Sequence, residues 1–171
     1  MSPKTRALLA ILLFTLAGVV SVSLREPSEF LVPHALFYGV LLINTFFSIR
    51  FFSPLQPKTF LQFFADVVLA LIYVALAFSI GNPVTYALFA MLLFVIGTQK
   101  YVLMRGEVPH KILLKRKIKA NLAGAALCAV IVGGTIAGPA LESAWILAIV
   151  FTIANVYLLL IKPMYQLPDA K

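Results

Sequence analysis

The sequence has very few charged residues for its length. Only 12% of its 171 residues are charged, whereas 62% are apolar and the mean hydropathy is +1.02. Soluble domains are about half apolar and about one quarter charged. A water-soluble fold of this size cannot bury so much apolar surface, so the composition excludes one and predicts an integral membrane protein.

Cysteine, histidine and acidic residues are equally scarce. Cys128 is the only cysteine, which excludes an intramolecular disulfide and a multi-cysteine metal site. The six acids and two histidines are scattered and match no metal-ligand or catalytic motif. We therefore expect no metal, no cofactor and no catalytic residue. His34, just after Pro33, is expected at the membrane interface near the start of the second span.

Six segments are long and apolar enough to cross a bilayer, for which a helix needs about 20 residues. The apolar runs are continuous and do not alternate with polar residues, which favours helices over barrel strands. We predict an all-α fold, a polytopic bundle of six transmembrane helices that forms one domain over residues 1–171. Three consecutive hairpins are expected, with spans at about 7–24, 30–52, 60–80, 84–104, 118–137 and 141–161.

The distribution of basic residues predicts the orientation, because lysine and arginine accumulate in cytoplasmic loops. With six spans, 13 of the 14 basic residues fall on the side that holds both chain termini, and only Arg25 falls on the other. We expect both termini to be cytoplasmic and the protein to reside in the cytoplasmic (inner) membrane. The competing interpretation of the first apolar stretch is a cleaved signal peptide ending near Ser21-Val22-Ser23.

Asp66 is the most informative ionisable residue, because it lies about seven residues into the third span, where ionised groups are costly. Helical spacing places it on one stripe with Gln62 and Tyr73, which we expect to face the bundle interior. Arg50 is the expected ion-pair partner. The alternative is that Asp66 binds a cation, a proton or a polar substrate. The complete candidate intramembrane polar site is Asp66, Arg50, Gln62, Tyr73, Asn44 and Asn155.

The fifth span is rich in small residues at a spacing of four, which lets helix backbones approach closely. The predicted helix-packing seam comprises Gly124, Cys128, Gly134 and Gly138. This pattern fits packing within the bundle and equally fits a homo-oligomeric interface.

A basic cytoplasmic loop, 105–117, precedes the fifth span, and its apolar residues suit a short interfacial helix that runs into the span. The expected partners are the lipid bilayer and its anionic headgroups, with an acidic protein or a phosphate-bearing ligand as the alternative. Nucleic acid is not expected, because no recognisable binding motif is present. The residues expected to make these contacts are Lys111, Lys115, Arg116, Lys117 and Lys119.

Three classes of function remain open. The first is a transporter or channel, or the membrane-embedded subunit of a transport complex, that moves a small solute or ion. The second is a non-catalytic scaffold or partner subunit that uses the glycine seam and the basic loop as contact surfaces. The third is a membrane-embedded lipid-modifying enzyme, which would need several convergent acids, histidines or serines at the interface. The scarcity of such residues argues against the third class.

Overall fold

The structure, a computed structural model, describes residues 2–56, 59–105 and 111–165. Within these ranges the regular elements are all helices. Six of them are long and apolar enough to cross a membrane, the sixth together with the turn that continues it. The prediction of a six-helix membrane bundle is confirmed. The helices are α1 (Pro3–Ser23), α2 (Leu31–Phe52), α3 (Phe60–Phe78), α4 (Pro83–Met104), α5 (Lys111–Ala137) and α6 (Ala140–Val156), with a π-helical turn, Tyr157–Ile161, continuing α6.

Local sequence signals explain where several helices begin and end. The side chains of Ser2, Thr59 and Asn82 cap α1, α3 and α4, each accepting a hydrogen bond from the backbone N–H three residues later. Gly81 and Gly138 precede α4 and α6 with φ of 93° and 128°. Side chains with a Cβ rarely adopt these backbone conformations, so glycine is required at both turns.

The fifth helix is longer than the predicted span. It begins at Lys111, so the expected interfacial helix and the fifth span form one continuous helix of 27 residues. The predicted basic loop 105–117 is therefore helical from Lys111 onward, and its residues 106–110 lie outside the described ranges. The first helix also begins early, at Pro3 rather than near residue 7, because Ser2 caps it there.

The six helices form a closed ring. The order around the ring is α1, α2, α6, α5, α4 and α3, and each helix packs against both of its neighbours. The three predicted hairpins, α1–α2, α3–α4 and α5–α6, are each present as neighbouring helices. The ring is closed by two contacts between helices distant in sequence, α2 with α6 and α1 with α3.

The two ends of the bundle differ strongly in charge. Every described lysine and arginine except Arg25 lies toward the end where α1 begins and α6 ends. We call this end the basic end. Which side of a membrane the basic end faces stays a prediction from the distribution of positive charge.

The outer faces of the helices carry large apolar side chains. Leu12 of α1 and Ile136 of α5, for example, are 66% and 70% exposed. In water, continuous apolar faces of this extent would drive aggregation, whereas in a bilayer they contact lipid tails. The apolar excess of the composition therefore lies mainly on the outside of the ring.

The end of the bundle opposite the basic end is held together around His34. This residue is buried, and its Nδ1 accepts a hydrogen bond of 3.1 Å from the Gly81 N–H. The Tyr86 ring stacks on the imidazole at 4.0 Å, and the Tyr86 hydroxyl donates to the His34 carbonyl at 2.8 Å. His34 therefore joins α2 to α4 inside the protein, and its depth at the membrane interface stays a prediction.

The predicted glycine seam contributes to packing within the bundle. A Cβ added at Gly124 would lie 3.0 Å from the ring of Phe94 on α4, and one at Gly134 would lie 2.7 Å from Ser143 Oγ on α6. Cys128, between them, is fully buried. Gly138 has no such neighbour and serves the turn instead. The seam thus serves two intramolecular contacts, and a homo-oligomeric role stays a prediction.

Two adjacent glycines of α5 provide a test of this packing. Gly134→Leu should lower the free energy of unfolding by about 1–3 kcal/mol, because the larger side chain collides with Ser143. Gly133→Leu is the matched control, since a Cβ at Gly133 meets nothing within 4 Å. It should be neutral or stabilise by up to about 1 kcal/mol through helix propensity. Thermal unfolding in detergent measures the stability of both variants. Equal changes in stability would contradict the close contact between Gly134 and Ser143.

Candidate functional site

A cavity of about 280 Å³ lies inside the ring, in the half next to the basic end. Five helices line it, α1 to α5, together with the connection between α2 and α3. Arg6, Gln56 and Lys100 lie near its outer end, and Phe14 and Tyr73 lie at its inner end. Tyr73 is seven residues beyond Asp66 on α3, so the cavity extends about 10 Å along the helix axis.

A layer of aromatic side chains forms the floor of the cavity. The rings of Phe14 and Tyr73 stack with their centroids 4.6 Å apart. The Tyr73 hydroxyl is hydrogen-bonded to Thr45, and the Tyr38 hydroxyl donates to the Phe14 carbonyl at 2.9 Å. These bonds tie α1, α2 and α3 together at mid-depth. The layer separates the cavity from the apolar core toward the opposite end of the bundle.

Asp66 lies on the wall of the cavity and forms an ion pair with Lys100 of α4. Its second carboxylate oxygen accepts a hydrogen bond of 2.6 Å from Gln56 Nε2. The Asp66 side chain is 42% exposed, and the Lys100 side chain is 13% exposed. The carboxylate is therefore neutralised by a lysine while it remains accessible.

The expected partner of Asp66 was Arg50, and this expectation is wrong. Arg50 is exposed and lies in a separate shallow pocket next to Phe47, Phe51 and Tyr165. The reason is the ring order, in which α3 packs mainly against α1 and α4, whereas its contact with α2 is confined to a few side chains such as Thr45 and Tyr73. The cation that reaches Asp66 consequently comes from α4.

Lys117 of α5 is a second cation inside the cavity. Its side chain is buried, and its ammonium donates to the Tyr165 hydroxyl at 2.8 Å and to Asn44 Oδ1 at 3.4 Å. It also lies 5.8 Å and 5.4 Å from the ring centroids of Tyr101 and Tyr165, within the range of cation–π attraction. Lys117 therefore lies inside the cavity and not on the outer surface, where the prediction had grouped it with four other basic residues. The other four residues of that predicted set, Lys111, Lys115, Arg116 and Lys119, are exposed, and their contact with headgroups stays a prediction.

Tyr165 holds this network together from the segment after α6. Its hydroxyl accepts from Lys117 and donates to Asn44 Oδ1 at 2.5 Å. Burial raises the pKa of the Tyr165 phenol above its ordinary value, so the hydroxyl keeps its proton and remains a donor at neutral pH. The Asn44 oxygen therefore accepts two hydrogen bonds, one from each partner.

Further polar groups complete the wall. The hydroxyls of Ser48 and Tyr101 are hydrogen-bonded at 2.6 Å across α2 and α4. Asn121 of α5 approaches α4 at Gly97, where an added Cβ would lie 2.9 Å from its Nδ2. Glycine at that position lets the amide reach the cavity wall. The polar groups of the cavity thus come from five helices, α1 to α5.

The candidate polar site is only partly assembled. Asn44, Asp66 and Tyr73 line the cavity together. Gln62 is buried beside it and donates to the Lys100 carbonyl at 3.3 Å, which connects α3 to α4. Asn155 is buried on α6, donates to the Phe151 carbonyl and does not line the cavity. Asn155 and Arg50 therefore lie apart from the other members.

Sequence reasoning missed several polar residues that line or close the cavity. They include Arg6, Gln56, Lys100, Tyr101, Asn121 and Tyr165. Lys100 was expected only on the basic side with the other cations, because a cation at a helix end is ordinarily interfacial. No spacing rule links Lys100 to Asp66, since the two residues lie 34 positions apart on different helices. The one available signal was the polarity of Asn121 inside an apolar span.

Comparison with protein-family models, with curated proteins and with solved structures gives no match to this chain. The cavity has charged and hydrogen-bonding groups above an aromatic floor, an arrangement that can bind a small molecule. Among the described residues, no group of three or more histidine, cysteine, aspartate or glutamate side chains could hold a metal ion.

Proposed function

We propose that this chain is a small membrane transport protein whose central cavity binds a small solute or ion from the basic end. The observation that carries the proposal is the accessible ion pair of Asp66 and Lys100 inside a ring of apolar helices. Ionisable groups at membrane depth are costly, and they ordinarily face an aqueous cavity that serves a substrate or ion pathway. A scaffold that only packs against partners has no need of such a cavity.

The size of the cavity limits the solute to a small molecule. A cavity of roughly 150 Å³ accommodates one benzene molecule. The 280 Å³ available here is almost twice that volume. We therefore infer a solute of about a dozen non-hydrogen atoms or fewer, by proportion to the benzene example.

Transport requires the aromatic floor to open. Phe14, Tyr38 and Tyr73 join α1, α2 and α3 by stacking and by hydrogen bonds, so separation of these helices would connect the cavity to the opposite end. This arrangement suits alternating access, in which one end is open while the other is closed. If the basic end is cytoplasmic, as the distribution of positive charge predicts, the present conformation faces inward.

A second candidate function is that of a membrane subunit in a larger transport complex. Phe60, Phe63 and Phe64 of α3 are 81%, 65% and 54% exposed near the basic end, and they do not line the cavity. Such a cluster of aromatic side chains can contact either lipid or a second protein. The purified chain would then need its partner for flux.

Filling the cavity tests the transport proposal. Ala70 lines the cavity, whereas Leu71, its neighbour on α3, is 64% exposed on the outer face. We expect Ala70→Phe to reduce solute flux at least about fivefold, because the ring occupies volume that the solute needs. Leu71→Phe introduces the same ring outside the cavity and should leave flux unchanged.

The measurement is uptake into liposomes containing the purified protein, with labelled sodium, chloride, lactate and glycine as separate probes. The wild-type protein should exceed protein-free liposomes for at least one probe. Transport by the isolated chain would be contradicted by uptake equal to that of protein-free liposomes for all four. Equal losses in Ala70→Phe and Leu71→Phe would exclude the cavity as the pathway.

A further inference from the structure

We propose that the cavity binds a small organic monocarboxylate, and that Lys117 is the residue that receives the carboxylate group. The inference rests on the proposed function, since it concerns the same cavity. What binds in the cavity is a separate question from whether the bound molecule crosses the membrane.

The described lining of the cavity carries an excess of positive charge. It includes three cations, Arg6, Lys100 and Lys117, and one acid, Asp66. The acid is already engaged by Lys100 and by the amide of Gln56. A negatively charged solute therefore meets a favourable potential in the cavity, whereas a cation meets an unfavourable one.

Lys117 is the cation best placed to receive the anion. Its ammonium donates to two neutral oxygens, those of Tyr165 and Asn44. An ammonium has three N–H donors, so one remains after these two bonds. A buried charge surrounded by neutral groups is costly, and a carboxylate beside it would offset much of that cost.

Tyr165 and Asn44 act as positioning residues for this lysine. Because Tyr165 also donates to Asn44, the three side chains form a closed network that restricts where the ammonium lies. Such preorganisation lowers the entropy that binding must remove. Each positioning group is neutral, so the positive charge is left for the solute.

The deeper part of the cavity is apolar and suits a hydrocarbon body. Below the charged groups the cavity is lined by Phe14, Leu41, Leu93 and Phe94. Small-molecule sites are typically apolar with a few polar groups that fix orientation. A monocarboxylate with a short apolar body would therefore place its carboxylate at Lys117 and its body toward the aromatic floor. Benzoate, a benzene ring with one carboxylate, has this chemistry and fits the volume.

The test compares the binding of three probes of similar size to the purified full chain by titration calorimetry. These probes are benzoate, the neutral benzamide and the cationic benzylammonium. Benzoate should bind most tightly and benzylammonium least. Lys117→Met should lower the affinity for benzoate at least about tenfold, which is the loss expected for one charge-assisted hydrogen bond. It should change benzamide binding little.

Lys119→Met is the matched control, because it removes the same charge from an exposed position two residues along α5. It should leave benzoate binding unchanged. Tyr165→Phe keeps the lysine and removes only the hydroxyl that positions it, so it provides a second variant where Lys117→Met fails to fold. We expect Tyr165→Phe to lower the affinity for benzoate about threefold or more and to change the affinity for benzamide little.

Three results would overturn the inference. The first is equal affinity for benzamide and benzoate, and the second is tighter binding of benzylammonium than of benzoate. The third is an equal loss of benzoate affinity in Lys117→Met and Lys119→Met. A lipid headgroup phosphate is another source of one anionic group, so the titration is repeated in nanodiscs. If phosphatidylglycerol displaces benzoate from the wild-type protein and phosphatidylcholine does not, the natural ligand is the headgroup and the free carboxylate is excluded.

The outcomes separate this inference from the transport proposal. Benzoate binding that depends on Lys117, without flux of any probe, supports the anion site and contradicts transport. Flux of sodium or glycine that Ala70→Phe abolishes, with no preference for benzoate over benzamide, supports transport and contradicts the anion site.

Discussion

Asp66→Asn is expected to reduce flux through the reconstituted protein to the level of protein-free liposomes. The substitution leaves Lys100 without its carboxylate partner in the same cavity as Lys117. An uncompensated charge in a partly buried site is costly and attracts whatever anion is present, so productive release of a solute should fail. The variant should also lose about 1.5–3 kcal/mol of stability, the range for hydrogen bonds to charged groups.

Arg50→Gln is the matched control for this experiment. It removes a charge near the same end of the bundle from an exposed side chain that does not line the cavity. Flux and thermal stability should both be unchanged. The double variant Asp66→Asn/Lys100→Gln then separates two roles, since it removes both charges and should recover most of the stability.

The double variant decides whether Asp66 acts on the solute. If the ion pair only stabilises the fold, the double variant recovers flux together with stability. If Asp66 contacts the solute or controls the charge of the cavity, stability recovers and flux does not, which is the result we expect. Unchanged flux in Asp66→Asn alone would remove this residue from the mechanism.

Tyr86→Ala is expected to cause the largest loss of stability among single substitutions in the apolar core, about 3–5 kcal/mol. Tyr86 is fully buried, stacks on His34 at 4.0 Å and meets Phe37 edge to face at 5.8 Å. Its hydroxyl donates to the His34 carbonyl. The alanine variant therefore loses packing on two rings and a hydrogen bond, and it leaves a cavity.

Thermal unfolding in detergent measures this loss, and a fall of roughly 10 °C in the midpoint corresponds to it. Tyr86→Phe removes only the hydroxyl and should cost about 1–1.5 kcal/mol. Tyr157→Ala truncates a tyrosine that is 45% exposed at the end of α6, and it should change the midpoint little. A loss in Tyr86→Ala no larger than in Tyr157→Ala would show that the opposite end is not organised around this contact.

The number and type of the helices followed directly from the sequence. Six apolar runs of about 20 residues each specify six helices, because backbone groups in a bilayer must be satisfied within the segment. The turns before α4 and α6 also have a local cause, since Gly81 and Gly138 adopt backbone conformations that favour glycine. These features depend only on local composition and local backbone geometry.

The position of Asp66 was partly predictable. Helical spacing placed it on one stripe with Gln62 and Tyr73, and the structure has Gln62 and Tyr73 buried and Asp66 on the cavity wall. Its partner was not predictable. The short connection from α2 suggested Arg50, but the choice between Arg50 and Lys100 depends on which helices are neighbours in the ring.

Lys117 illustrates most clearly what the sequence and the tertiary structure each determined. The order of residues along the chain concentrated the basic residues at one end of the bundle, because lysine and arginine accumulate in the loops on one side of a membrane. The rotation of α5 against α4 and α6 then decided which of those residues faces inward. Lys117 lies in the cavity and Lys119 lies on the surface, although no feature of the sequence distinguishes the two lysines. Their positions differ because the packing of α5 against distant parts of the chain determines which side chains point into the bundle.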